Sequence, residues 1–303
     1  MARRGGDATA AGSGVKPPVF IIGGSRTGSE MLKTMLSVSP EIDFVDELFL
    51  LCPRWLHKDL ATCLATEVGD LNAPGALERV VDLLFSGRPY GWVWSVANQK
   101  FDRERLKQEL TGTSLSLRDI LTALMEVHAE RRGKRGRGAK FPTHYSCTHR
   151  LLEWFPECKL IHTTRDPRAV YASQAGKYVK AADPWYVRGG MRFRQFVHVN
   201  IQVSWTATLH RRMVRLPNYR LVRYEDVVME PRRQLESLCE FLEVEFLPEM
   251  LQPRQYGSTF ESAGWRGVNK ASLNAWRKRA SPLATGAIWY LHPRARRILG
   301  YAN

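Results

Sequence analysis

Val19-Phe-Ile-Ile-Gly-Gly-Ser-Arg-Thr-Gly-Ser-Glu-Met-Leu32 decides how this chain is read. Val19 to Gly23 has the unbroken apolar character of a strand buried on both faces. A glycine turn carrying one cation follows, and a helix opens near Gly28, with Met31, Leu32, Met35 and Leu36 on one face. Strand, glycine turn and helix start together make a phosphate cradle. The first backbone N–H groups of a helix have no intrahelical partner and point at any anion placed there. Gly23, Gly24 and Gly28 permit the tight turn, and Arg26 adds a forked cationic donor.

The same alternation continues outward. Asp43–Asp46 reads as a short strand leading into Glu47, residues 75–86 as a helix and Tyr90–Val96 as a strand. Leu117–Glu130 is amphipathic through Ile120, Leu121, Leu124 and Val127. Arg131–Gly138 reads as a basic glycine-rich loop, either a solvated linker or a grip for an acidic partner, and Ala139–Pro142 as a short strand. A helix through Leu151, Leu152 and Trp154 precedes a strand at Lys159–Thr164, after which Asp166 and Pro167 supply an N-cap and a first-turn proline. Residues 191–214 form a long helix, Tyr219–Arg223 a strand, and Pro231 opens a helix with Leu235, Leu238, Phe241 and Leu242 inward. Strands alternating with helices predict an α/β fold with a central parallel sheet flanked by helices. Ligands of such sheets lie at the carboxyl ends of the strands, where Gly24–Ser29, Glu47, Lys140 and Arg165 fall.

Composition narrows the partners. The chain has 303 residues and a formal charge of +15, suited to an anionic ligand, nucleic acid or an acidic membrane surface. Five scattered cysteines without a C-x-x-C pair suggest neither a disulfide framework nor a zinc site, so a reduced, cytoplasmic setting is expected. No stretch approaches the roughly 18 apolar residues of a membrane span. Residues 1–16, rich in Gly, Ala and Ser, read as a disordered lead-in, and residues 17–303 as one domain.

The turn lacks the Lys-Ser or Lys-Thr that follows the last glycine of a nucleoside-triphosphate loop, and Glu30 sits close by. A single phosphate or phosphosulfate fits better than a magnesium-bound triphosphate. A second cluster, Thr164-Arg-Asp-Pro-Arg-Ala-Val-Tyr-Ala-Ser173, puts Arg165 at a strand end and Ser173 two helical turns later on a similar face. The pair can hold a second phosphate; it also reads as a capped helix with a surface arginine.

These residues resemble the sulfotransferases that use 3′-phosphoadenosine 5′-phosphosulfate (PAPS) and release adenosine 3′,5′-bisphosphate (PAP). The first family motif, G-x-x-[RK]-[ST]-G-[ST]-[ST], stands here as Gly23-Gly-Ser-Arg-Thr-Gly-Ser-Glu30, and the second, R-D-P-R-x-x-x-x-S, as Arg165–Ser173 in full. Leu221-Val-Arg-Tyr-Glu-Asp-Val-Val-Met-Glu-Pro231 and Arg266-Gly-Val-Asn-Lys-Ala-Ser-Leu-Asn-Ala-Trp276 look like two later family segments, in the expected order. The tyrosylprotein sulfotransferases and related bacterial enzymes are the group it resembles most. The resemblance implies a P-loop NTPase-like sulfotransferase fold over about residues 18–300. It implies cofactor contacts at Gly24, Ser25, Arg26, Thr27, Gly28, Ser29 and Glu30 for the 5′ end, and at Arg165 and Ser173 for the 3′-phosphate. Tyr224 is implied at the adenine, with Arg266, Asn269 and Lys270 in the closing segment. Glu47 matches the family's base, while Arg26 and Lys140, the latter in K-x-P, match its two catalytic cations. No metal is required by this constellation.

Glu30 departs from the motif, which has Ser or Thr there. A carboxylate beside phosphate is repulsive unless it turns away or meets a cation such as Lys33. His144 and His149 are fallback bases. The acceptor bears a hydroxyl, on a sugar, lipid, phenol or tyrosyl peptide. Trp92, Trp94, Trp185, Tyr186, Arg188, Arg192 and Phe193 either meet it or belong to the core. The competing readings are a P-loop phosphotransferase, whose lysine and magnesium ligands are missing from the pattern, and a basic nucleic-acid-binding protein, for which no module is seen; the sulfotransferase reading expects no nucleic acid.

Overall fold

The computed structural model describes residues 16–48, 50, 59–86, 96, 99–141, 145, 147–252, 268 and 270–301. Its centre is a sheet of β1 (Val19–Gly23), β2 (Ile42–Val45), β3 (Gly136–Phe141), β4 (Lys159–Thr164) and β5 (Tyr219–Arg223), in the order β2-β3-β1-β4-β5. Every pairing is parallel, with Ile21 beside Lys140 on one side and Ile161 on the other. Each strand therefore ends at the same edge, and β1 delivers the glycine turn to its middle.

The helices follow from α1 (Ser29–Leu36), α2 (Leu60–Cys63), α3 (Ala76–Phe85), α4 (Arg103–Leu110) and α5 (Leu117–Arg131) to α6 (Thr148–Trp154) and α7 (Pro167–Tyr178). Beyond these come α8 (Trp185–Met213), α9 (Tyr224–Met229), α10 (Pro231–Leu242), α11 (Trp276–Arg279), α12 (Pro282–Leu291) and α13 (Pro293–Ile298). The period-two alternation of β1 sorts the core. Phe20 and Ile22 join Leu106, Leu110, Ile120, Leu124 and Leu151 from α4, α5 and α6. Val19 and Ile21 join Leu32, Met35 and Leu36 of α1 and Leu235, Leu238 and Leu242 of α10 on the opposite face. A third cluster packs Val170 and Tyr171 of α7 against Val199 and Val203 of α8 and Ile288 of α12.

Local rules explain the boundaries. Asp166 caps α7 by accepting from Arg168 N, with Pro167 in the first turn. Ser116 and Asp119 form a reciprocal capping box at the start of α5.

Four readings need correction. The basic stretch 131–138 is not one loop: Arg131 ends α5, and β3 already begins at Gly136, so the Ala139 strand starts three residues early. Three of its cations pair with neighbouring elements. Arg132 Nε donates to Asp43 at 2.9 Å, Lys134 Nζ to Ser37 O at 3.0 Å, and Arg137 pairs with Glu126. Helix α8 starts at Trp185 rather than 191, because Pro184 fixes the residue before it. Strand β2 lies one residue earlier than expected and leaves Asp46 beyond its end. Lys16, assigned to the lead-in, bonds Glu41 at 2.6 Å. The strand expected at Tyr90–Val96 lies outside the described residues except for Val96. None of the described helices is long and apolar enough to cross a membrane.

Candidate active site

The glycine turn closes onto α1 with Gly28 at φ 95° as the N-cap, and no side chain caps the helix. A Cβ at Gly28 would stand 2.5 Å from Cδ2 of Tyr224, so only glycine lets loop and ring approach so closely. At Gly24 a Cβ would strike the Gln202 side chain. Thr27, buried, donates its hydroxyl to Gly24 O at 2.7 Å and lies 2.7 Å from Thr163 Oγ1, tying the loop to β4. Arg26 holds a left-handed conformation, φ 68°, unusual for a residue with a Cβ. Its Nε donates to Ser173 Oγ at 2.9 Å, which joins the first motif to the second across 147 residues.

The β4 end carries Arg165. Its guanidinium lies 4.1 Å over the Tyr224 ring, and Nη2 donates to Ser272 O at 3.2 Å. Tyr224 Oη is 2.7 Å from Ser272 Oγ. The segment beginning at Lys270 thus folds over both, bringing together three parts of the chain that the resemblance assigns to one nucleotide. Arg165 Nε is buried with no hydrogen-bond partner among the described residues. A recess of about 340 Å³, partly open to solvent, adjoins it, lined by Thr27, Thr164, Gln202, Arg296 and Tyr301 among others. Arg266 and Asn269 lie outside the described residues, as do His144, Trp92 and Trp94.

The ends of β2 and β3 carry the charge. Lys140 Nζ, buried, lies 2.9 Å from Glu30 Oε2 and 3.9 Å from Asp46. Lys33 bridges Glu30 at 3.1 Å and Asp46 at 2.5 Å. Burial disfavours the Lys140 ammonium, but Glu30, Glu47 and Asp46 outweigh it and hold the lysine charged. Burial likewise pushes Glu30 up, and Lys140 and Lys33 reverse the sign, so its carboxyl falls well below the usual range. Glu47 goes the other way. Burial pushes its carboxyl above 4.5, and Lys140 and Lys177 pull it only part of the way back. Lys140, Glu30 and Glu47 therefore form one charged cluster and Arg26 and Ser173 a separate hydrogen-bonded pair, whereas His149 is exposed on α6.

Gln202 carries no sequence signal, whereas Arg168 belongs to the second motif. Gln202 donates to Ser25 O at 3.2 Å and meets Gln174 at 3.4 Å; it sits mid-helix in a stretch with no motif. Arg168 is sandwiched between Trp276 and Trp289, at 4.4 and 3.6 Å, while it grips Asp166. Trp185 and Phe193 of α8 are not core: Trp185 is 79% exposed and Phe193 68%. Trp185 stands about 25 Å along the helix from Gln202, beyond reach of the glycine turn. Trp205, 6.0 Å edge-on from Tyr145, is the nearer aromatic surface.

A parallel α/β sheet with an uncapped helix behind a glycine turn, and a second cationic side chain close by, has the geometry with which α/β proteins receive anions at a helix N-terminus. The model of the Sulfotransferase family matches residues 17–248, and the chain belongs to that family of sulfate-transferring enzymes. It is 30% identical over 140 residues to sulfotransferase 2A1 of Macaca fascicularis, a match spanning 42% of this chain and about half, 48%, of that relative. The sulfotransferase domain of the Synechococcus PCC 7002 olefin synthase superposes with a TM-score of 0.52 at 22% identity, over 92% of this chain and 94% of that one. The sulfotransferase domain from the curacin biosynthetic pathway gives 0.57 at 19%, over 96% and 99%. Both share the sulfotransferase fold.

Proposed function

We propose that this chain transfers a sulfuryl group from PAPS to a hydroxyl acceptor, with Glu47 as general base. The Arg26–Ser173 hydrogen bond at 2.9 Å carries the reading, because it joins the 5′ cradle to the 3′-phosphate pair at one site. The residues fit the nucleotide. An uncapped α1 N-terminus faces the 5′ phosphosulfate, and the orphaned Arg165 Nε and Ser173 suit the 3′-phosphate. Tyr224 and the Lys270 segment suit the adenine side.

The donor, when bound, supplies an activated sulfuryl group and a phosphate leaving group. Arg26 and the permanently charged Lys140 neutralise charge that builds on the oxygens between sulfur and phosphorus. Glu47, its carboxyl raised by burial, is the better proton acceptor for the incoming hydroxyl. Glu30 and Asp46 hold Lys140 in place, and Lys33 bridges the two carboxylates. The apolar part of the acceptor rests against Tyr145 and Trp205. No metal ion enters this scheme.

PAP at millimolar concentration is expected to raise the melting temperature of the wild-type chain, since a ligand of the folded state alone must do so. No shift would refute the cofactor assignment. A screen of sugars, lipids, phenols and tyrosyl peptides with radiolabelled PAPS then identifies the acceptor. Transfer from ATP that requires magnesium would favour a phosphotransferase instead.

A further inference from the structure

The first motif places a hydroxyl where this chain has Glu30. The side chain occupies the second position of α1, at the mouth of the anion cradle. It does not turn away into solvent. One carboxylate oxygen takes Lys140 at 2.9 Å and the other takes Lys33 at 3.1 Å. Asp46 completes the group, 2.5 Å from Lys33 and 3.9 Å from Lys140. Two lysines and two carboxylates sum to zero, so the Lys140 charge is already paired before any ligand arrives.

We infer that Glu30 shares Lys140 with the anionic nucleotide and so weakens the grip on the bisphosphate product, acting as a built-in aid to product release. The inference rests on the sulfotransferase reading above. Its physical basis is simple. A unit negative charge in the first turn of α1, paired with Lys140, would oppose the same anion that Arg26, Lys140 and the helix N-terminus attract. The hydroxyl of the usual motif would donate to phosphate; the carboxylate cannot. Lys140 and Lys33 hold the Glu30 carboxyl well below the usual carboxylate range against burial, so it is ionised near neutral pH. The opposing charge is therefore constant there rather than pH-gated.

Calorimetric titration of PAP into wild type, E30Q, E30T and D46N tests this. E30Q keeps an oxygen acceptor for Lys140 and removes the charge; E30T restores the motif's hydroxyl. Both are expected to bind PAP about tenfold more tightly than wild type, the order expected of one unit charge in a half-exposed site. D46N, farther from Lys140, is expected to gain less. Raising the salt concentration should narrow the gap, since the effect is electrostatic. A gain in affinity cannot arise from structural damage, so either variant alone suffices if the other fails to fold. Affinity equal to or below wild type in E30Q and E30T overturns the inference while leaving the sulfotransferase reading intact. A wild type that does not bind PAP overturns the reading and the inference with it.

Discussion

Gly28→Ala probes the cradle most directly. The substitution forces an L-residue to hold φ 95°, which costs about 1–2 kcal/mol on its own. The new methyl would also stand 2.5 Å from Tyr224 Cδ2, well inside contact distance. Tyr224 is not free to swing away. Its hydroxyl is 2.7 Å from Ser272 Oγ, and the Arg165 guanidinium lies on its ring. Relieving such overpacking costs roughly 1–3 kcal/mol more. Together these amount to about 2–5 kcal/mol and a melting-temperature drop of several degrees. Gly112 supplies the control: it has φ 78°, and no described atom lies within 4 Å of where an added methyl would sit, so Gly112→Ala incurs the strain alone. Urea denaturation of both variants, with PAP titrations in parallel, separates the two contributions. Gly28→Ala should also lose PAP binding, because the displaced ring carries Arg165 and Ser272 with it, whereas Gly112→Ala should bind normally. Adding Tyr224→Ala to Gly28→Ala should recover part of the lost stability as a positive coupling energy. If Gly28→Ala proves no more destabilising than Gly112→Ala, the close approach of loop and ring is refuted.

Glu47→Gln is expected to abolish transfer while leaving PAP affinity near wild type; unchanged turnover would remove Glu47 from the mechanism. For the wild type, the base must be ionised and burial raises its pKa, so the rate should climb with pH through a midpoint above 4.5 and then level off. A pH–rate profile lacking that acid limb would contradict the assignment. Arg165→Ala should weaken PAP binding more than any other single substitution outside the glycine turn, and an unaltered dissociation constant would exclude the 3′-phosphate role. Asp43→Asn tests the fold instead. Burial raises the Asp43 carboxyl, but His128, Ser37, the Phe44 N–H and Arg132 together outweigh it and depress the folded-state pKa. A depressed carboxylate stabilises above its unfolded value of 3.8 and loses that contribution as pH falls below it. Asp43→Asn should therefore cost on the order of 2–4 kcal/mol at pH 7. The difference from wild type should shrink in urea melts below pH 4, and a difference independent of pH would sink the claim.

Much of the architecture is legible in the sequence because its signals are local. Val19–Gly23 announces itself as a buried strand by an apolar run, and the structure returns its bounds, and those expected for Lys159–Thr164 and Tyr219–Arg223, unchanged. Asp166 with Pro167 announces the start of α7 by capping chemistry that needs no distant partner. The short helices α11, α12 and α13 escape such a reading, as does α4, whose few apolar residues give little periodicity. The basic stretch misleads because glycines and arginines look like a solvated loop. Gly136 and Gly138 belong to a strand, where they admit Glu41 O and the Phe44 ring at close quarters, a fact about neighbours rather than about themselves.

The sequence by itself determined the strand–turn–helix cradle, the second cationic motif and the order in which they occur, because backbone propensity and residue chemistry act over a few positions. Only the tertiary structure decided that Arg26 reaches Ser173 and that Glu30 closes on Lys140. It also tied Arg132 of the basic stretch to Asp43 and left Trp185, Tyr186 and Phe193 of α8 in solvent. Charge pairing and burial depend on which side chains the parallel sheet gathers at one edge, and no local pattern in the chain encodes that gathering.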